Sequence, residues 1–508
     1  MEKRNTIALL DRIILIFLFL FSILFLFFTT KNSPLYLFNE WYDPNIYFSV
    51  GKSMANGLIP YKDIFDHKGP LVFFIYCIGY LISNTDFSGI YIIECLFLFL
   101  NLIFAYKIAG LYLGRLFSFV TAISYALFLS TKSYYGGSAE EFISLFVTIS
   151  FYYFILYFTN DRLSDKKCLI QMFIHGLMFG LTFLSKLSVC VFWIPLLLAI
   201  GIHLTYTKKF RQSTIFTLSF LSGFVVSVLP FLVYFISHSA LGDAYFGYIT
   251  FNSLYAEFSP DLSLVRKTTS HFLKLLTNDF ITFPLLLLGL FLLSFTKRYI
   301  SNVIYRAGIF LSFIFSFIII CLSKYIMTYA HMVIYVYAIF GLIFIFQVIE
   351  KHINYKRYSL LIYVFSFVAI LAMGINEKKF FNEDISYLTR KTECSYMQKE
   401  FAAIINKENN PTLLNIGLDL GVFTKSGIVP SYKYFFYPNI PYHVFPEIRD
   451  YQVRLIERKE PMFIVMGSNA AFYDMYRELP ALQENYSLIS VYNQHTEFDK
   501  QVFLYKKK

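Results

Sequence analysis

The chain is 508 residues long, 57% hydrophobic and 20% aromatic, with only 15% of its residues charged. A soluble domain is about half apolar and a quarter charged, so this balance excludes an ordinary water-soluble globule and points to a lipid solvent. The net charge of +11 then belongs to loops that orient the chain at a membrane and is not a nucleic-acid footprint.

In chain order, the first apolar run is Ile13 to Phe28, behind Lys3, Arg4 and Arg12. It begins like a signal peptide, but Phe27–Phe28–Thr29–Thr30–Lys31 offers no small-residue cleavage pattern, so it reads as a retained span. Apolar runs near bilayer-spanning length give candidate spans at 13–29, 89–106, 116–130, 142–158, 168–185, 188–205, 213–237, 280–296, 305–322, 331–349 and 359–375. The predicted fold is a polytopic α-helical membrane protein of about eleven transmembrane helices.

Basic clusters fall in alternate connections: Lys107/Arg115, Arg162/Lys166/Lys167, Lys208/Lys209/Arg211, Lys297/Arg298/Arg306 and Lys351/Lys356/Arg357. The positive-inside rule places them and the N-terminus in the cytoplasm. Residues 30–88, residues 238–279 and everything beyond about 376 are then expected outside. Leu71 to Ile82 is too short to span and is expected as an outer helix along the membrane surface. The predicted division is a transmembrane catalytic domain over 1–375 and a small extracytoplasmic α/β domain over 376–508. In the latter, "TLLNIGL" (412–418), "MFIVMG" (462–467), "YSLISVY" (486–492) and "QVFLYK" (501–506) read as strands. "PEIRDYQVRLIERKEP" (446–461) reads as a helix opened by proline. The six cysteines form no CxxC and no paired spacing, so neither a disulfide framework nor a zinc site is expected.

The first outer loop carries most of the chemistry. Residues 39–70, "NEWYDPNIYFSVGKSMANGLIPYKDIFDHKGP", gather Glu40, Asp43, Asp63, Asp66, His67 and Lys68. Carboxylates accept a proton from an attacking hydroxyl. Asp, Glu and His together suit a divalent cation, and lysine gives a phosphate a point charge. The set suits a reaction on a lipid-linked phosphate at the membrane surface. Plainer readings stand beside it: "YDPN" is a good turn, Lys68 a snorkelling lysine, and Glu140 and Glu141 in "GGSAEEF" acids at a helix start. The second outer loop offers Asn252, Tyr255, Glu257, Arg266, Lys267 and His271. "SKYIMTYAHMVIY" adds Lys324, Tyr325, Tyr329 and His331, ionisable or polar groups near membrane depth.

A first span, an acidic outer loop and "FDHKGPL" resemble the GT-C membrane glycosyltransferases, and more narrowly the bacterial members of family 39, the protein mannosyltransferase and aminoarabinose transferase group. The resemblance covers roughly residues 1–375 and rests on Asp43, on Asp66–His67–Lys68–Gly69–Pro70, and on Glu140 and Glu141. It implies an inverting transfer from a polyprenyl-phosphate sugar to an acceptor on the outer face; the acceptor expected here is a cell-surface glycan or teichoic-acid-like polymer. It implies Asp43 as general base, with Glu140 and Glu141 as further catalytic acids. Lys68 would hold the donor phosphate, helped by Arg266 or Lys267. Asp66 or His67, with His331 from a later outer loop, would hold a divalent metal. Two rivals are weaker. A lipid-linked sugar flippase would show paired halves and interrupted midplane helices, and a polysaccharide polymerase would concentrate arginine in its outer loops.

Overall fold

The computed structural model describes residues 2–130, 136–160, 163–257, 264–322, 327–352, 358–377, 396–438, 440–467, 476–493 and 501–508. Among these, eight helices are long and apolar enough to cross a bilayer: Asp11–Thr29, Ser88–Gly110, Ala139–Thr159, Leu187–Tyr206, Phe210–Ser237, Val303–Cys321, Thr328–His352 and Ser359–Asn376. Val265–Thr277 and Thr282–Phe295 make a ninth if they count as one span broken by a 113° bend. All eleven sequence-predicted spans are helical, but, besides the 14-residue Thr282–Phe295 of the bent pair, two fall short of a crossing by length or composition. Arg115–Ser130 has 16 residues, and Asp165–Phe183 opens on Asp165, Lys166 and Lys167 and is interrupted by Gln171 and His175. The spans are helical because lipid offers backbone groups no partner, so each must bond within its own segment. Polar side chains follow the same rule: Thr121 Oγ1 donates to the Phe117 carbonyl and Thr148 Oγ1 to that of Ser144.

The chain packs as two compact units. The first comprises Met1–Thr30, Ile93–Phe231 and Ser259–Glu383. Its helices close on small residues: a Cβ on Gly289 would sit 2.1 Å from the Tyr337 carbonyl, and one on Gly341 would sit 2.2 Å from that of Leu285. Two backbones in contact gain dispersion energy that lipid cannot match. Some buried polar groups here pair with one another, as Trp193 Nε1 does with Ser150 Oγ (2.9 Å) and Tyr337 OH with Ser312 Oγ (3.0 Å), which avoids the cost of an orphaned donor at those positions.

The second unit comprises Lys31–Ile92, Leu232–Phe258 and Asp384–Lys508. Its first part is a helical hairpin, α1 (Tyr42–Ala55) and α2 (Pro70–Ile82). At 13 residues α2 is too short to cross a bilayer alone. The two helices meet at Gly51, where a Cβ would lie 2.6 Å from the backbone of Tyr76 and Cys77. Tyr47 and Phe48 of α1 pack edge-on against Tyr76 and Tyr80 of α2.

The C-terminal part carries the expected strands, β1 (Leu413–Ile416), β2 (Phe463–Gly467), β3 (Tyr486–Asn493) and β4 (Gln501–Lys507), in the order β1-β2-β4-β3. The β1–β2 pair is parallel and the others antiparallel. A parallel pair needs a long crossover, and the helix Glu447–Glu457 lies within it. The free edge of β1 is covered, with Asn415 N–H donating to the Phe435 carbonyl and Tyr437 N–H to that of Gly417. An edge so paired offers no template for association. A buried cluster of Leu414, Ile416, Ile456, Ile464, Met466 and Tyr476 forms the core beside the sheet. Cys77, Cys95, Cys168, Cys190 and Cys321 are free thiols, and Cys394 lies outside the described residues.

Candidate functional site

Asp43 stands in the first turn of α1. The sequence offered "YDPN" as a turn; a helix starts there instead. Proline is tolerated in a helix's first turn, where its missing N–H has no intrahelical partner to lose. The macrodipole favours a carboxylate in the same turn. Asp43 is half-buried and its Oδ2 accepts from Tyr47 OH, one turn on, at 3.2 Å.

The rest of α1 is gripped along one stripe. Asn45, Ser49 and Lys52 recur at helical spacing and are 0% exposed. Asn45 Nδ2 donates to the carbonyls of Asn39 and Trp41, and its Oδ1 accepts from Thr424 Oγ1 at 2.9 Å. Ser49 Oγ donates to Asp419 Oδ2 at 2.7 Å, and Lys52 Nζ donates to the Phe423 carbonyl at 2.5 Å. Asp419 Oδ1 in turn accepts from Gly421 N–H at 2.8 Å. The C-terminal segment 419–424 thus holds the helix that carries Asp43. Sequence reading missed this stripe, because polar residues three and four apart describe a solvated helix face equally well.

Burial pushes the Lys52 ammonium from its usual 10.5 down to about 7, with Asp419 offsetting part of the fall. Burial likewise raises the Asp419 carboxyl, against the bonds from Ser49 and Gly421 and the charge of Lys52. For Lys52 the folded value lies below the unfolded one. Between about 7 and 10.5 the unfolded chain therefore binds a proton that the folded chain lacks, and stability rises with pH across that window by about 1.4 kcal/mol per unit. Thermal unfolding in detergent at pH 7.5 and 9 should show the native protein gaining on a Lys52→Met variant as pH rises. A pH-independent difference would mean that Lys52 keeps its charge when buried.

The segment around Lys68 belongs to the same unit and is pinned from three sides. Tyr61 OH donates to the Lys68 carbonyl (2.5 Å), Asn252 Nδ2 to the His67 carbonyl (2.6 Å), and Phe65 N–H to the Lys433 carbonyl (2.9 Å). Phe65 is buried among Phe251, Tyr434, Tyr437, Ile440 and Ile448. Tyr61 takes a left-handed φ of 68°, uncommon for a bulky residue, and its ring lies against Gly247, where any Cβ would come within 2.4 Å. Burial raises the Tyr61 phenol well above its usual value, so it stays a donor. Asp66 is 2% exposed, with Oδ1 3.3 Å from His67 Nδ1 and no hydrogen-bond partner for Oδ2. Burial alone would raise its carboxyl, but the neighbouring His67 and Lys68 outweigh it and hold Asp66 below its ordinary value.

Glu140 and Glu141 lie in the first unit, at the start of α3 (Ala139–Thr159). Glu141 caps the helix start from both sides: its N–H donates to Ser138 Oγ (3.3 Å), and its Oε2 accepts from the N–H of Gly137, just before the cap (2.8 Å). Glu140 is 3% exposed and accepts from Lys186 Nζ at 2.6 Å. Gly136 has a φ of 97° and lies so close to Thr30 that a Cβ would meet its Oγ1 at 2.0 Å, which brings this loop onto Thr30 and Glu94. Glu94, buried in the span Ser88–Gly110, accepts from Thr30 Oγ1 at 3.4 Å. Glu94 and Glu141 line a cavity of about 50 Å³ with Asn101, Ser130 and Ser144, large enough for a few waters. Sequence reading passed over Glu94, although an acid inside an apolar run is itself a signal.

Arg266 and Lys267 begin the helix Leu264–Asn278, also in the first unit. His331 is there too, buried, with Nε2 3.2 Å from His271 Nδ1 and Nδ1 3.1 Å from the Thr328 carbonyl. Lys324 and Tyr325 lie outside the described residues, and Tyr255 and Glu257 have described backbone only. Among the described residues no group of three or more His, Cys, Asp or Glu is placed to hold a metal ion. Asp66 and His67 supply two neighbouring donors, short of a cation's ligand set, so no step is derived through a metal.

Residues 67–234 match the family model described as dolichyl-phosphate-mannose-protein mannosyltransferase. No curated protein sequence matches the chain. Among solved structures, the fold is similar to ArnT from Cupriavidus metallidurans bound to undecaprenyl phosphate, with a TM-score of 0.61, 14% identity and 98% of both chains covered. The apo state of that protein gives the same TM-score and identity, over 99% of this chain and 98% of that one. The Archaeoglobus fulgidus oligosaccharyltransferase in complex with Zn and sulfate follows at 0.52 and 14%, over 97% of this chain and 73% of that one. At these identities the structural likeness speaks for the fold.

Proposed function

We propose that the chain is a GT-C membrane glycosyltransferase akin to the family whose model matches residues 67–234, and that it transfers a sugar from a polyprenyl phosphate to a cell-surface glycan or teichoic-acid-like polymer. The donor class follows the undecaprenyl phosphate bound to the structurally similar ArnT and the dolichyl phosphate of the family description. The observation that carries the reading is Asp43, a half-buried carboxylate in the first turn of a helix whose opposite stripe is wholly buried and bonded. A base held by such a scaffold meets its substrate without reorganising.

In this reading Asp43 takes the proton of the acceptor hydroxyl as that oxygen attacks the anomeric carbon. The bond from the sugar to the phosphate oxygen breaks, its electron pair leaves with the polyprenyl phosphate, and the configuration inverts. Lys68 stabilises the charge that develops on the departing phosphate. Glu140, paired with Lys186, and Glu141, committed to a helix cap, support the scaffold. The chain is a multi-pass membrane protein, and the alternating basic loops support a cytoplasmic N-terminus with the reaction on the outer face.

Surface polysaccharide from cells that carry or lack the gene tests the reading. The deletion is expected to remove one glycosyl substituent and leave the polymer backbone intact. An unchanged glycan in the deletion strain would overturn the transferase proposal.

A further inference from the structure

A second feature of the Lys31–Ile92 unit has no part in the chemistry above. Beside the loop that precedes α1 lies a pocket of about 440 Å³, within the range of small-ligand sites. Lys31, Lys399 and Lys425 converge on it against a single lining carboxylate, Asp86. That carboxylate is anchored at a helix start, its Oδ1 accepting from Ser83 Oγ at 2.6 Å and from Ser88 N–H at 2.8 Å, and it offsets part of the Lys425 charge, leaving three lysines against one lining acid. Lys31 is 7% exposed and pairs with Glu40. Lys399 and Lys425 are half-buried, and Lys425 Nζ lies 5.9 Å from the Tyr396 ring. The Tyr396 ring stacks at 6.1 Å on Phe38, which meets Phe87 at 5.7 Å, so an aromatic wall faces the lysines.

These two surfaces suit one kind of ligand. Lysine is a compact point charge that tolerates many phosphate orientations, unlike the fixed fork of arginine, and no arginine lines the pocket. An aromatic wall covers the C–H faces of a sugar or polyol. The loop carrying Lys31, Phe38 and Asn39 is also rigid, since Asn39 Nδ2 donates to Asn32 Oδ1 at 2.7 Å and the Asn39 carbonyl accepts from Asn45 of α1. We infer that the pocket binds a phosphodiester-linked polyol or sugar, and that it holds a stretch of an anionic acceptor polymer beside the helix that carries Asp43. This inference rests on the transferase reading for its acceptor, but the binding itself does not require turnover.

The test uses the full-length protein in neutral detergent, with a glycerol phosphate oligomer as one probe and nanodiscs containing phosphatidylglycerol as the other. The oligomer should bind, more weakly as salt rises, while a neutral glucan oligomer should not. Lys399→Gln and Lys425→Gln should each weaken oligomer binding roughly tenfold, the scale of one charge-assisted hydrogen bond. Lys425→Arg should restore most of it. If both Gln variants leave oligomer binding intact but lower the retention of phosphatidylglycerol, the pocket reads a lipid headgroup and the acceptor assignment falls. If neither probe responds, the binding site itself is refuted. Asp43→Asn should retain oligomer binding, so failure of the pocket and failure of the transferase reading give different results.

Discussion

Asp43→Asn is expected to reduce sugar transfer from undecaprenyl-phosphate sugar by about 10²–10⁴-fold, the usual contribution of a positioned general base. The substitution keeps the side-chain shape and an oxygen that accepts from Tyr47 OH, but removes the basicity. The structural cost is small. A carboxylate in a helix's first turn contributes about 0.3–1 kcal/mol through the macrodipole. The bonds that tie α1 to the segment 419–424 come from Asn45, Ser49 and Lys52, on the stripe opposite Asp43. Unfolding temperature should therefore change little while kcat collapses, and the acceptor KM should stay close to native. This separation distinguishes a base from a helix-capping acid, whose loss would lower stability and activity together. If the folded Asn variant transfers within tenfold of the native rate, the base lies elsewhere, and the carboxylates of Glu140 and Glu141 become the next to test.

What the sequence disclosed follows from how local each constraint is. Lipid forces every spanning segment to bond within itself, so hydropathy alone located the helices, and the four strands appeared near their observed limits. "FDHKGP" stood out as a candidate because charge beside an apolar run is costly wherever the chain later goes. The partner of α1 was not visible. Ser49 and Lys52 meet Asp419 and Phe423 across 370 and 371 residues, and nothing near either position announces the other. Burial alone tells a clamp from a wet helix face, and burial is a property of the fold. Glu141 shows the opposite case. "SAEE" carries the spacing of a capping box, a local signal that was legible and that gives the acid a structural role. Two expected spans fell short for a similar reason: Arg115–Ser130 and Asp165–Phe183 are helical in pattern, but one lacks length and the other apolar surface.

Lys68→Gln carries the second large effect, a loss of about 10²–10³ in kcat/KM, equivalent to about 2.7–4 kcal/mol of transition-state stabilisation. The segment that bears Lys68 is fixed by its backbone, through Tyr61, Asn252 and Phe65, so changing the side chain's end leaves the loop in place. What changes is the charge offered to the departing phosphate. The polyprenyl phosphate gains negative charge as the glycosidic bond breaks, so a cation there acts on the transition state and on the product more than on the bound donor. Inhibition by added undecaprenyl phosphate should therefore weaken along with kcat/KM, and Lys68→Arg, which keeps the charge with a different geometry, should fall between. A snorkelling lysine predicts neither change, because its charge would sit in water. Full inhibition by undecaprenyl phosphate in a slow Lys68→Gln variant would separate Lys68 from the leaving group. Arg266 and Lys267 would then be the next cations to substitute.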